Sequence, residues 1–246
     1  MLPGHPMRNP RLIKAKSAAL AERRRHGKLS PRGKAKGRIP LRERRERILA
    51  MASDFFAEYG LTAQTRALAD ACGISQRLLY RCFPSKGALI QEMYRRDIAG
   101  PFQATWLARL EDRSRSVAER LKEFYREYYG AVLTRRWLRL FLYASLAEID
   151  MAPTYIAEVI TRMLETIVSE ACAERGVRAP ARRETRHELG WFLHGAVSHL
   201  AIRRHIYANT NPTPVEEVIA MHVELFLAGV EAVLPARVPP AVQVVD

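Results

Sequence analysis

The 246 residues carry a formal net charge of +14, with 40 Lys and Arg against 26 Asp and Glu, and 48% of them are apolar. That is enough chain and enough apolar material for a small domain beside a larger one with its own core. Its three cysteines, Cys72, Cys82 and Cys172, have no paired spacing, which excludes a disulfide framework or a zinc finger. The longest apolar stretch, Leu138 to Leu146, is too short to span a bilayer. No charged-then-apolar leader with a small-residue cleavage site opens the chain, so the expected location is the cytoplasm, at the nucleoid. The sequence offers no HExxH, no nucleophile–base pair and no phosphate loop, so no enzyme, metal or cofactor is expected.

The charge is concentrated. Residues 1–47 hold 16 of the 40 basic residues and 3 of the 26 acidic ones, which leaves the remainder close to neutral. Residues 1–41 have little to bury and read as a disordered basic extension. Such a tail attracts phosphates without reading sequence. Arg32 to Arg38 is similar to minor-groove hooks of the AT-hook type, although Ile39 interrupts the usual Gly-Arg-Pro. A solubilising tail, an RNA-binding tail and a start codon further downstream are the competing readings.

Residues 42–88 form the first expected domain. Ile48 to Tyr59 has Ile48, Leu49, Ala52, Phe55 and Phe56 at helical spacing, closed by Gly60. A short helix from Arg66 to Cys72 follows, with Thr65 as its N-cap. Gly73 suits the turn after it because glycine reaches positive φ without steric cost. Ser75 is a good N-cap for the next helix, which Pro84 ends. On that helix Leu79 and Phe83 can pack inward with Ile74, while Gln76, Arg77, Tyr80 and Arg81 share the other face. Gln, Arg, Tyr and Arg on the outer face of a short, buried-leucine helix suit a DNA major groove.

The strings ILAMASDFFAEYG, TRALADACGIS and LLYRCFPSKGAL, within Arg44 to Tyr94, resemble the DNA-binding domain of the TetR family of bacterial one-component regulators. Leu78 and Cys82 depart from it, where the family more often has a small polar residue and an aromatic or histidine. The loop Leu61 to Gln64 is one residue shorter. The resemblance implies an all-α protein, with a helix-turn-helix domain followed by a helical ligand-binding and dimerisation domain. It implies base and backbone contacts by Gln76, Arg77, Tyr80 and Arg81, and phosphate contacts by Thr65, Arg66, Ser75 and Lys86.

Residues 89–234 then read as helices set off by their punctuation. They run from Lys86 to Ala99, Phe102 to Leu110, a capping box at Ser116 and Glu119 to about Leu133, and Arg136 to Ile149. Thr154 to Glu174, Arg182 to Tyr207 and Val215 to Leu234 complete the series. Residues 235–246 are a Pro/Val tail expected to be disordered.

The resemblance directs attention to two features of this second domain. Trp106, Tyr125, Tyr128, Tyr129, Trp137, Phe141 and Tyr143 fall in helices that line an effector cavity in TetR-like proteins, with the packed core as the competing reading. Arg139 and His194 are the polar residues that could serve it. Trp191, His194, Gly195, Ser198 and Ile202, with Met221, Leu225 and Gly229, mix bulky and small residues as a dimer face would. The expectation is a homodimeric repressor on a palindromic operator, released by a small hydrophobic effector, with no membrane partner. The alternative is a constitutive, low-specificity DNA-binding protein dominated by its tail, without an effector.

Overall fold

The computed structural model describes residues 40–236, and among them all regular structure is helical. The basic extension and most of the C-terminal tail therefore lie outside the described residues. The chain folds as two compact units, the first comprising residues up to Phe55 with Ala63–Leu89. The second comprises Phe56–Thr62 with the chain from Ile90 on.

In the first unit α1 (Leu41–Tyr59), α2 (Thr65–Cys72) and α3 (Gln76–Cys82) are joined by tight turns. α1 starts seven residues before the apolar period does. Its charged first turns are paired at i,i+4, Arg42 with Glu46 and Arg47 with Glu43, which favours helix without any burial. Ile48, Leu49, Ala52, Leu68, Ala69, Leu79, Cys82, Phe83 and Leu89 are buried and form this unit's core. Gly73 has φ +65°, and its N–H and that of Ile74 return to the last carbonyls of α2.

α4 (Lys86–Met93) leaves the first unit and continues into a π-helical turn, Tyr94–Ala99. There follow α5 (Ala104–Glu111), α6 (Val117–Ala131) and α7 (Arg135–Leu146). Next, α8 (Met151–Tyr155) passes through a second π-helical turn, Ile156–Ile160, into α9 (Thr161–Glu174). The helix expected over Arg136 to Ile149 ends before Pro153, at Leu146, but the next begins at Met151 rather than Thr154, with Pro153 in its first turn, where a missing N–H costs nothing. α10 (Arg183–His205) and α11 (Val215–Val233) end the unit.

α9 packs along α10, α6 along α11, and α5 against both α6 and α9. The α9–α10 approach depends on Gly190, where a Cβ would stand 2.8 Å from the Leu164 Cβ. The capping box at Ser116 is present in both directions and fixes the start of α6. Arg120, buried on α6, donates to the carbonyls of Leu110 and Arg115 and pairs with Glu170 and Glu174 of α9. Because each end of this buried charge has a partner, it pins the α5–α6 connection without leaving an orphaned ion.

Candidate functional site

The outer face of α3 is formed as its spacing predicts. Leu79 and Cys82 are buried, Phe83 caps the helix and is also buried, while Gln76, Arg77 and Arg81 are exposed and Tyr80 is 41% exposed. The Ser75 hydroxyl accepts from the Leu78 N–H at 3.2 Å, so the side chain expected on phosphate is already the N-cap of α3. Its exposed position leaves the second lone pair of the oxygen available.

Thr65 is not the N-cap of α2. That position falls to Gln64, whose side chain makes no capping bond, and Thr65 is the first helical residue. Its Oγ1 is instead 3.0 Å from the Tyr80 hydroxyl and accepts from Gln76 Nε2 at 3.3 Å. Thr65, Gln76 and Tyr80 thus form one polar patch across α2 and α3, in which each side chain restricts the rotamers of the others. Arg66, Arg77 and Arg81 make no hydrogen bond or ion pair with the described residues, so three guanidinium groups face solvent around that patch.

Lys86 is more constrained than expected. Its Nζ donates to the Ala63 carbonyl at 2.9 Å, and partial burial lowers its pKa by desolvation. It remains at the first turn of α4, where Ser85 Oγ caps the Ala88 N–H and the helix dipole favours anions. Arg45 of α1 is a residue that sequence reading missed. It donates to the Cys82 carbonyl at the end of α3, 2.8 Å away, and lies over the Phe83 ring. Its signal would have been a tertiary pairing 37 residues apart, invisible to local pattern.

In the second unit most of the predicted aromatics belong to one connected cluster. Trp106, Tyr125, Tyr128 and Trp137 are buried, and Phe141 stacks on Trp137 at 4.6 Å. Phe102, Phe124 and Tyr155 complete the cluster and were not singled out from sequence. Tyr128 and Tyr155 share a hydroxyl contact at 3.3 Å, and burial pushes the Tyr155 phenol up to about 12 and Tyr128 well above its ordinary value. Trp137 Nε1 donates to the Ile98 carbonyl at 3.1 Å, which attaches the cluster to the first π-helical turn.

Two of the predicted aromatics lie outside the cluster. Tyr129 is half-buried beside His205, and Tyr143 packs on Gly60 and takes a hydrogen bond from Arg139. Arg139 does not face the cluster either, since it donates to the Ala57 and Glu58 carbonyls in the last turn of α1. At the edge of the cluster a small solvent-open pocket is lined by Trp106, Leu110, Phe124 and several paired charges, among them Arg115 and Glu123.

The expected dimer face divides. Met221 and Leu225 are 52% and 59% exposed, and a Cβ at Gly195 or Gly229 would meet none of the described residues within 4 Å. Trp191, Ser198 and Ile202 are half-buried on α10, while Phe192 and Val233, not named from sequence, are exposed apolar side chains. His194 is instead enclosed in its own chain, its ring 5.5 Å from that of Tyr128. Desolvation lowers its pKa to about 3. It faces inward because it lies about 100° around the helix from Gly195.

A short helix seated on a buried leucine and phenylalanine, with free arginines outward and a glycine turn behind it, defines a helix-turn-helix DNA-binding module. Residues 48–93 match the family model described as bacterial regulatory proteins, tetR family. That match gives residues 48–93 the DNA-binding domain of those regulators, and solved structures share the fold of the chain. A TetR-like transcriptional regulator from Rhodococcus sp. RHA1 has a similar fold, with a TM-score of 0.59 and 20% identity, over 78% of this chain and 100% of that one. A putative TetR-family regulator from Mesorhizobium loti MAFF303099 is similar at TM-score 0.56 and 16% identity, over 78% of this chain and 98% of that one. A tetR-family regulator from Streptomyces coelicolor gives 0.52 and 17%, over 79% and 84%. No curated protein is significantly similar in sequence. Among the described residues no helix is long and apolar enough to cross a membrane, and no His, Cys, Asp or Glu side chains gather as a metal site would require.

Proposed function

We propose that the protein is a cytoplasmic, homodimeric repressor that binds a palindromic operator and is released from it by a small hydrophobic effector. The observation that carries the reading is the outer face of α3, where Arg77 and Arg81 are unpaired beside Gln76 and Tyr80. Arginine unpaired in the free protein needs no bond broken before it forks onto a guanine, and Gln76 offers the amide that suits adenine. Thr65, Arg66, Ser75 and Lys86 surround this face and would take phosphates, setting register without reading sequence.

One α3 reads too few bases alone, and twofold pairing supplies the second half-site. The exposed Met221, Leu225 and Phe192, with open space at Gly195 and Gly229, support a face on α10 and α11 that a second copy covers. The aromatic cluster supports an apolar effector. Its link to the release step is α4, which runs from Lys86 to the π-helical turn that Trp137 holds by the Ile98 carbonyl. An effector that binds one arrangement of Trp137 better than the other shifts the equilibrium by that difference in affinity and no more.

The test is operator binding by Arg77→Ala against random DNA of the same length. The substitution should lower operator affinity by about 1–3 kcal/mol and relax base preference at one position of each half-site. An operator-to-random ratio equal to that of the wild type would remove α3 from base reading and leave a binding mode governed by charge.

A further inference from the structure

Among the described residues, five buried side-chain polar atoms of the second unit lack a partner, those of Tyr125, Arg175, His194, Arg203 and His222, and only Tyr125 and His194 are themselves buried residues. Among the described residues the Tyr125 hydroxyl on α6 and His194 Nδ1 on α10 have no hydrogen-bond partner, although Tyr125 is 0% and His194 4% exposed. Their rings are 6.2 Å apart, and each also lies against Tyr128, at 6.4 and 5.5 Å. Phe124 stands at 4.9 Å from Tyr125 and Trp191 at 5.3 Å from His194. A phenol O–H and a ring nitrogen kept dry without a partner are each destabilising, and folded proteins ordinarily fill such places.

The chemistry of the surroundings narrows what fills this one. The ring neighbours offer no carboxylate, ammonium or guanidinium. Arg120, one turn before Phe124 on α6, is spent on Glu170 and Glu174. An ion entering among these rings would have no counter-charge and would pay its full desolvation. His194 Nε2 is 3.3 Å from Ser198 Oγ, so one side of the imidazole is engaged and Nδ1 is the side left over. A hydroxyl accepts from Tyr125 and donates to Nδ1, or reverses both roles if the imidazole takes its other tautomer. A water could do the same, but buried waters ordinarily have about three polar partners, and here the rest of the wall is aromatic.

We propose that the Tyr125 hydroxyl and His194 Nδ1 are the polar handle of a ligand site that takes a small uncharged molecule carrying one hydroxyl on an apolar body, a phenol or an alcohol. This deepens the effector reading given above and rests on it. The hydroxyl sets orientation and the rings of Phe124, Tyr128 and Trp191 take the apolar body.

The experiment is calorimetric titration of the full chain at pH 7 with phenol, toluene and benzoate, which share a ring and differ in hydroxyl and charge. Phenol should bind at least tenfold more tightly than either of the others. Tyr125→Phe, which keeps the ring and removes only the hydroxyl, should weaken phenol about tenfold and leave toluene unchanged. Phenol binding no better than toluene, or equal in the variant, would mean an ordered water only and would overturn the proposal, as would no binding of phenol at all. Operator release is measured separately. Phenol that binds through Tyr125 yet leaves the operator bound keeps this site and refutes the effector reading, whereas another compound that releases the operator without Tyr125 does the reverse.

Discussion

His194 makes the stability of the second unit depend on pH in a direction that can be worked out in advance. Burial holds its imidazole at a pKa of about 3 in the folded chain, against an ordinary value of 6.5. Below pH 6.5 the unfolded chain therefore binds a proton that the folded chain refuses. The contribution is fully present above pH 6.5 and is lost as pH falls through the window from 6.5 toward 3. At pH 5 the unfolded imidazole is almost entirely protonated, which costs about 2 kcal/mol relative to pH 7 by linkage. His205 and His222 are lowered in the same direction by burial, and carboxylates add their own terms, so the wild type alone does not isolate the effect. His194→Gln removes one titrating group and leaves all others. Trp106, Trp137 and Trp191 all lie in the second unit, so tryptophan fluorescence during urea unfolding reports on it. Between pH 7 and pH 5 the wild type should lose about 2 kcal/mol more than the variant. Equal losses in the two proteins would show that His194 titrates normally and that its enclosure is wrong.

Leu225→Glu, alone or with Met221→Glu, places charge on the exposed apolar face of α11 and should convert dimer to monomer by sedimentation with little loss of helicity. A dimer that survives both would move the interface elsewhere. Arg139→Ala frees the carbonyls of Ala57 and Glu58 and should destabilise the chain by about 1–3 kcal/mol, whereas effector affinity should be unchanged because Arg139 is outside the aromatic cluster. Deleting residues 1–40 removes 12 basic residues and one acidic one. If that tail touches DNA, the slope of log K against log salt becomes shallower by about 0.9 for each phosphate the shortened chain no longer neutralises, on operator and random DNA alike. Sites flanked by A·T lose more only if Arg32 to Arg38 enter a narrow minor groove. Identical slopes would leave the tail with a role away from DNA.

What could be read from the sequence was what depends on neighbours a few residues away. Gly73, Ser75 and Pro84 delimit α3, and Ser116 with Glu119 starts α6, because turns and caps are closed by residues within a single turn of chain. The start of α1 was missed although its signal is also local. Arg42–Glu46 and Glu43–Arg47 stabilise helix by spacing alone, and an apolar period registers only the part that is buried. What could not be read were the partners of long polar side chains. Lys86 reaches Ala63, Arg45 reaches Cys82 and Arg139 reaches Ala57, each across a sequence gap that no periodic pattern encodes.

The division of roles along α10 follows from the same limit, and it has a geometric cause. Trp191, Gly195, Ser198 and Ile202 recur at intervals of three and four and share one stripe of the helix. His194 is also four residues from Ser198, which drew it into the group, but it lies about 100° around the helix from Gly195. That angle separates open space at Gly195 from the ring of Tyr128 at His194. Bulky and small residues at helical spacing cannot say which of two adjacent stripes faces the core, because both carry apolar side chains. The partners decide it. α6 brings Tyr125 and Tyr128 to one stripe, and among the described residues nothing lies within 4 Å of a Cβ built at Gly195 on the other. His194 therefore belongs to the chemistry of the core and its neighbour Gly195 to the surface, although they are consecutive in the sequence.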